Sequence, residues 1–215
     1  NSKKYMIDNI SYIIYEHDHK YLKKRNPIFY KNFKAPKQDL ANIEFFKAAK
    51  ATICLTQLAL DVFTNNTELT NVDKVGASVW RSADLDYLIE LNKSAIKNGK
   101  AAIMDSANPI KKRHQCVSYC EKNNIDYDLI SHKDHREFLK ILSQYSQLIF
   151  MTGHLETCCR LIVEAKMLNC TVTTQKALIG ACSEEWFSLD GEPLIEQIRK
   201  ISLNSVDVFM RHFDE

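Results

Sequence analysis

Two glutamates, Glu156 and Glu164, follow the apolar run Leu148-Ile-Phe-Met151 and the short loop Thr152-Gly-His-Leu155. A strand that runs through a loop into a helix starting near Thr157 points free N–H groups and a positive dipole end back at the loop. The start at Thr157 and Cys158 can then hold an anion. Glu164 lies eight residues beyond Glu156, two helical turns on and roughly on the same side. Carboxylates so placed suit the hydroxyls of two sugars with a diphosphate between them. The same spacing also fits an acidic helix start followed by a solvated glutamate.

Two other groups of residues could take part. Lys111, Lys112 and Arg113 follow the apolar strand at 101–104 and a loop containing Pro109, so they place cations beside a strand end. The same three residues also fit a basic helix start on the surface. Near the N-terminus, Tyr12-Ile-Ile-Tyr15 leads into Glu16-His17-Asp18-His19, a strand ending in a polar loop or a turn with exposed imidazoles. No GxGxxG follows a strand and no GxxxxGK[ST] is present, and the chain has only five glycines. A glycine-rich phosphate loop is therefore not expected, and helix starts and basic side chains must hold any phosphate.

The elements that would position these residues alternate regularly. Strands are predicted at 12–15, 52–56, 74–80, 101–104, 127–130, 148–151 and 171–174. Helices are predicted at 85–95, 113–123, 134–145 and 157–168, and two more close the chain at 193–201 and 205–213, the first with Pro193 in its opening turn. Strand–helix–strand at this spacing predicts an α/β fold, a parallel sheet with helices on both faces. The polar stretch at 65–73 is the expected boundary between two parts, 1–68 and 69–215.

Composition is ordinary for a globular chain, with 45% hydrophobic and 26% charged residues in 215. No stretch is long and apolar enough to suggest a membrane span. Seven cysteines without CxxC spacing predict reduced thiols in a cytoplasm-like compartment, without a metal site. The net charge of +2 is unevenly spread: residues 1–50 carry eleven Lys/Arg against five Asp/Glu, a local +6 that leaves −4 elsewhere. A basic end of this kind can be a solvated surface or can meet a polyanion such as DNA or an acidic glycan.

The order strand, Glu156, seven residues, Glu164-Ala165, turn, Thr171-Val-Thr resembles the donor site of retaining glycosyltransferases of the GT-B fold, the large family-4-like group. Asn169 stands where that family ends the helix with glycine, and asparagine also tolerates the left-handed cap conformation. The likeness continues through Ile179-Gly-Ala-Cys-Ser-Glu-Glu-Trp-Phe187, and the run EHDHKYLKKRNP is similar to compact bacteriophage-encoded members. The resemblance implies a Rossmann-like, nucleotide-sugar-binding C-terminal half at 69–215 and a partial N-terminal, acceptor-side half at 1–68. A truncation, an unusually small first half, a second chain or an oligomer would account for the shortfall. It further implies that Glu156 contacts the transferred sugar, Glu164 the ribose, and Lys111 the diphosphate. Ser106 stands where the family has a second phosphate-binding arginine, and Lys112 or Arg113 is the expected substitute. His17 is implied as the contact to the reacting sugar from the other half.

The expected activity is retaining, metal-independent sugar transfer from a nucleotide-sugar such as a UDP-sugar, with no cofactor and an acceptor that is a glycan or DNA. It would proceed in the cytoplasm, that of the host if the chain is viral. Two alternatives remain open: an inactive glycosyltransferase-like subunit or scaffold, and a DNA-base-modifying glycosyltransferase.

Overall fold

The computed structural model describes residues 2–213. Strands and helices alternate along the chain and build two wholly parallel sheets. The first contains β1 (Ile13–Glu16), β2 (Ala51–Cys54) and β3 (Val72–Lys74), in that order. The second contains β4 (Ala101–Met104), β5 (Tyr127–Ile130), β6 (Gln147–Phe150) and β7 (Thr171–Thr174), in the order β5-β4-β6-β7. The central strands are apolar because both of their faces are covered: Ala102, Ile103, Leu148, Ile149 and Phe150 are all buried. The edge strands β5 and β7 carry the polar residues, with Asp128 on one and three threonines on the other.

Helices cover both faces of the second sheet, as the α/β reading requires. On one face, Cys116 and Cys120 of α5 (Arg113–Lys122) pack against Ala101, Ile103 and Ile149. The other face is covered by α4 (Ser82–Ser94), α6 (His135–Leu142), α7 (Arg160–Met167) and α8 (Gly191–Met210), which bring Leu85, Leu139, Ile162 and Leu194 into the main core. The first sheet packs Cys54 with Phe46 of α2 (Ile43–Lys47), Phe63 of α3 (Gln57–Thr67), Tyr21 and Leu22. Before these elements α1 (Ser2–Asn9) buries none of its residues. The arrangement is Rossmann-like.

Three expectations about elements need correction. The strand expected at 74–80 is β3 at Val72–Lys74, and the chain then crosses between sheets as coil with Gly76 at φ +95°. That crossing lies beyond the expected division at 68/69, since β3 still pairs with β2. The two closing helices are one, α8, which runs unbroken through 202–204, with Ser202 Oγ accepting from Trp80 N at 3.1 Å and Ser205 Oγ donating to the Ser202 carbonyl at 2.7 Å. Finally, α7 starts at Arg160, three residues after Thr157. The Thr157 carbonyl accepts from Thr56 Oγ1 at 2.7 Å and the Cys158 carbonyl from Ala181 N at 3.2 Å, so neither is left for a helical bond.

The end of α7 matches the expectation for Asn169. Its φ is 57°, Asn169 N donates to the Lys166 carbonyl at 3.0 Å, and Cys170 N donates to the Ala165 carbonyl at 2.9 Å. This pair of bonds is the Schellman cap, with asparagine in the left-handed position.

The topology directs two loops to one place. From β4 the chain moves outward to β5, then returns to the opposite side of β4 for β6. The chain therefore leaves the carboxyl ends of β4 and β6 towards opposite edges of the sheet, the position at which open α/β sheets bind ligands. These loops are 105–112 and 151–159.

Candidate functional site at the divergence of two loops

Lys111 and Glu156 meet between these two loops. Asn108 caps the 3-10 turn Pro109–Lys111 by accepting from Ile110 N at 3.0 Å, which fixes the backbone under the lysine. The two loops are joined by Gly153 N donating to the Ile110 carbonyl at 2.7 Å. Across this seam Lys111 Nζ lies 3.1 Å from Glu156 Oε1, which also accepts from Thr152 Oγ1 at 3.3 Å. The ammonium lies 5.3 Å from the centre of the Phe150 ring. Both ends of the pair are partly exposed, so an incoming anion can compete for the lysine.

Glu156 is held from three sides. Its N–H donates to the Leu178 carbonyl at 2.9 Å, and its carbonyl accepts from Gly180 N at 2.8 Å. Leu155, one residue earlier, is buried in the core of the first sheet. Gly180 is required here: a Cβ would stand 2.1 Å from the Thr157 carbonyl oxygen and 2.4 Å from Thr56 Oγ1. The loop carrying Glu156 is thus clamped between both sheets.

Glu164 has a different setting. It is buried, and its oxygens accept from Trp80 Nε1 at 3.0 Å, His135 Nε2 at 3.1 Å and Arg160 at 3.4 Å. Arg160 also lies 4.5 Å from the centre of the Trp80 ring. A cation in the first turn of a helix opposes the dipole, and the i,i+4 carboxylate with the indole face offsets that cost here. The hydrogen bond to Glu164 raises the His135 pKa above its ordinary value, against a smaller opposing effect of desolvation. The carboxylate forms one wall of a 340 Å³ cavity with Asp105, Ser106, His132, Phe138 and Leu161. Larger grooves, of 740 and 600 Å³, lie between Lys74 and Trp186 and beside β7. Neither groove contains Lys111, Glu156 or Glu164.

The loop after β1 is attached to this region through its backbone. The Thr157 hydroxyl donates to the His17 carbonyl at 2.9 Å, so His17, itself exposed, is anchored to the residue after Glu156. Glu16 shapes the turn: one carboxylate oxygen accepts from Asp18 N at 2.8 Å and Lys20 N at 3.1 Å. His19 is buried, with Nε2 2.9 Å from the Leu155 carbonyl and Nδ1 3.0 Å from the Tyr21 hydroxyl. A carbonyl can only accept, so the proton is on Nε2, and Nδ1 accepts from Tyr21. Burial depresses the His19 pKa from 6.5 to about 4.

No protein-family model matches this sequence, and neither does any curated protein.

Of the residues predicted from sequence, Lys111 and Glu156 are in direct contact, and Thr157 links that pair to His17. Lys112 caps α5 with φ +48° and lies against Gly153. Arg113 is in an ion pair with Asp105. The Cys158 side chain is buried in the main core. Glu156 and Glu164 do not share a helix face, since Glu156 precedes the helix on a bridge to Ile179. Sequence reasoning missed Trp80 and His135, which no short-range spacing ties to Glu164. It also missed Arg160, although the spacing of four residues before Glu164 on a predicted helix offers that pairing. No helix among the described residues is long and apolar enough to cross a membrane.

Proposed function

We propose that this chain is the nucleotide-sugar-binding part of a retaining, metal-independent glycosyltransferase of GT-B type. The observation that carries the reading is the pairing of Lys111 with Glu156 where the loops after β4 and β6 diverge, close to the cavity walled by Glu164. A cavity of 340 Å³ is within the range of small-ligand sites. The nucleoside occupies it, with a ribose hydroxyl donating to Glu164 in place of the His135 imidazole. The diphosphate displaces Glu156 from Lys111, and Glu156 then orients the hydroxyls of the sugar. Lys111 stabilises the charge that develops as the bond from the anomeric carbon to the phosphate oxygen breaks. The acceptor oxygen bonds to the same face of that carbon, and its proton leaves on the diphosphate. His17 faces the reacting sugar from the first sheet.

A second reading has one observation in its favour. Glu164 already accepts from three donors, as a purely structural carboxylate would, and a scaffold lacking activity would keep that network. Calorimetry with UDP and uridine separates the two. The transferase reading expects UDP to bind, and Lys111→Ala to weaken UDP by roughly tenfold or more while leaving uridine nearly unchanged, because only UDP carries the charge. Equal losses for both ligands would remove Lys111 from the phosphate site. No binding of UDP or other nucleoside diphosphates, and no release of UDP from UDP-sugars, would leave the scaffold reading.

A further inference from the structure

From His19 to Gln38 the chain has seven Lys/Arg and no Asp or Glu. All seven (20, 23, 24, 25, 31, 34 and 37) are exposed. Lys20 lies 3.9 Å from Asp18 and Lys34 3.8 Å from Glu68. Among the described residues, Lys23, Lys24, Arg25, Lys31 and Lys37 have no carboxylate partner. Five unpaired cations on one short stretch repel each other and give a positive field at that surface.

This stretch adjoins the cleft. The Arg25 carbonyl is 2.8 Å from His154 Nε2, and Asn26 Nδ2 donates to the Gly153 carbonyl at 3.0 Å. On the other side of the same turn, Lys112 passes so close to Gly153 that a Cβ there would lie 2.7 Å from its Cε. Lys112 belongs to a second acid-free stretch, 106–120, which also carries Lys111, Arg113 and His114. The two basic stretches therefore meet at the turn 153–154, two residues before Glu156. Between the cations an aromatic face is open: Phe29 is 63% exposed, with Lys24 Nζ 5.8 Å from the centre of its ring.

We propose that this surface binds single-stranded nucleic acid, with phosphates along Lys23, Lys24, Lys31 and Lys112 and a base stacked on Phe29. The strand is then the acceptor of the transfer, a clause that rests on the glycosyltransferase reading. Cations with an exposed ring are the combination that single strands use, because every base has a face to stack. An acidic glycan or an acidic peptide would engage the lysines and leave Phe29 unused.

The test is fluorescence anisotropy of a labelled oligothymidylate of about 20 nucleotides with the full chain, over a salt series. With four phosphate contacts, the slope of log affinity against log salt is about −3. The triple variant Lys23→Glu, Lys24→Glu, Lys31→Glu loses about 100-fold in affinity, the direction expected from phosphate contacts. Arg25 is left in place because its backbone carbonyl is bonded to His154 at the junction with the cleft. Circular dichroism and UDP affinity, both unchanged in the variant, show that the fold and cleft are intact. Phe29→Ala loses about tenfold for the oligonucleotide and nothing for heparin. Absence of oligonucleotide binding at low salt overturns the proposal, and so does wild-type affinity in the triple variant. Unchanged oligonucleotide affinity in Phe29→Ala overturns it in favour of an acidic glycan, and equal losses for heparin and oligonucleotide overturn the stacking of a base on Phe29. If UDP fails to bind while the oligonucleotide binds as described, the transferase reading falls and the nucleic-acid surface stands.

Discussion

Glu164 and His19 are both buried ionisable side chains, and they are satisfied in opposite ways. Glu164 takes its partners from side chains on three different segments, Trp80, His135 and Arg160, and borders a cavity. His19 takes one partner from a backbone carbonyl, that of Leu155, and its other from Tyr21, packed between the first-sheet core and the turn 153–155. Side-chain partners can rotate away and be replaced by a ligand's groups, whereas a carbonyl inside a clamped loop cannot. One network is therefore suited to exchange partners with a guest, and the other to hold two halves of the cleft in fixed register. Their pKa shifts are opposed as well: His135 is raised beside a carboxylate, and His19 is depressed by burial.

The largest effect is expected at Glu164. Glu164→Ala leaves an indole N–H, an imidazole and a guanidinium facing a vacated buried site. Removing one partner of a buried charged network costs about 3–5 kcal/mol. Urea unfolding measures it, and nucleotide affinity should be lost at the same time. Glu164→Gln keeps an acceptor for Trp80 and should cost less, about 1–3 kcal/mol. A change under about 1 kcal/mol in the alanine variant would show that the donors find water, and that the wall is as open as the site at Glu156.

His19 comes next, and its signature is acid sensitivity. A base whose folded pKa lies below its unfolded value binds its proton more tightly when unfolded. Its contribution is complete above pH 6.5 and is lost as pH falls towards the folded value of about 4. The loss across that interval is about 3 kcal/mol. His19→Asn keeps a residue that tolerates the left-handed conformation, φ 53° here, but cannot reach Leu155. It should cost about 1–3 kcal/mol at neutral pH and flatten the decline between pH 6.5 and 4. An unchanged decline would place the acid sensitivity elsewhere.

The two regions also differ in how far the sequence discloses them. Both parallel sheets follow from apolar runs spaced by helical stretches, and Asn169 marks the end of α7 by its tolerance of positive φ. Lys111 and Glu156 were legible because each follows a strand end, and the strand order brings those two ends together. The partners of Glu164 were not legible: Trp80 is 84 residues away in sequence and His135 is 29, and Trp80 reads as the end of a strand until its chain crosses between sheets as coil. The start of α7 was misread for a related reason, since Thr56 and the loop at 180–181 take the carbonyls a helix at Thr157 would need. His19 reads as an exposed loop histidine, and only the insertion of Leu155 into the first core shows why it is buried.

The smallest effect is expected at His135, and it distinguishes a network that exchanges partners from one that does not. Its pKa is raised above 6.5 by the hydrogen bond to Glu164. A base with a raised folded pKa contributes fully below the unfolded value of 6.5 and loses the contribution as pH rises through the folded value. The His135 side chain is 53% exposed, so solvent screens much of the charge. The pair is accordingly worth about 0.2–1 kcal/mol, in the range of partly exposed ion pairs. His135→Gln can still donate a neutral hydrogen bond to Glu164 but cannot carry the proton. Its stability should therefore fall below wild type by that amount near pH 5.5 and match it near pH 8.5, the reverse of the direction at His19. A ribose hydroxyl arriving at Glu164 competes with the same imidazole, so saturating UDP should shrink the pH 5.5 difference between the two proteins. Urea midpoints at both pH values, with and without UDP, read all four quantities. A difference that UDP leaves untouched would mean that Glu164 keeps its partners when nucleotide binds, and that its network is as fixed as the one around His19.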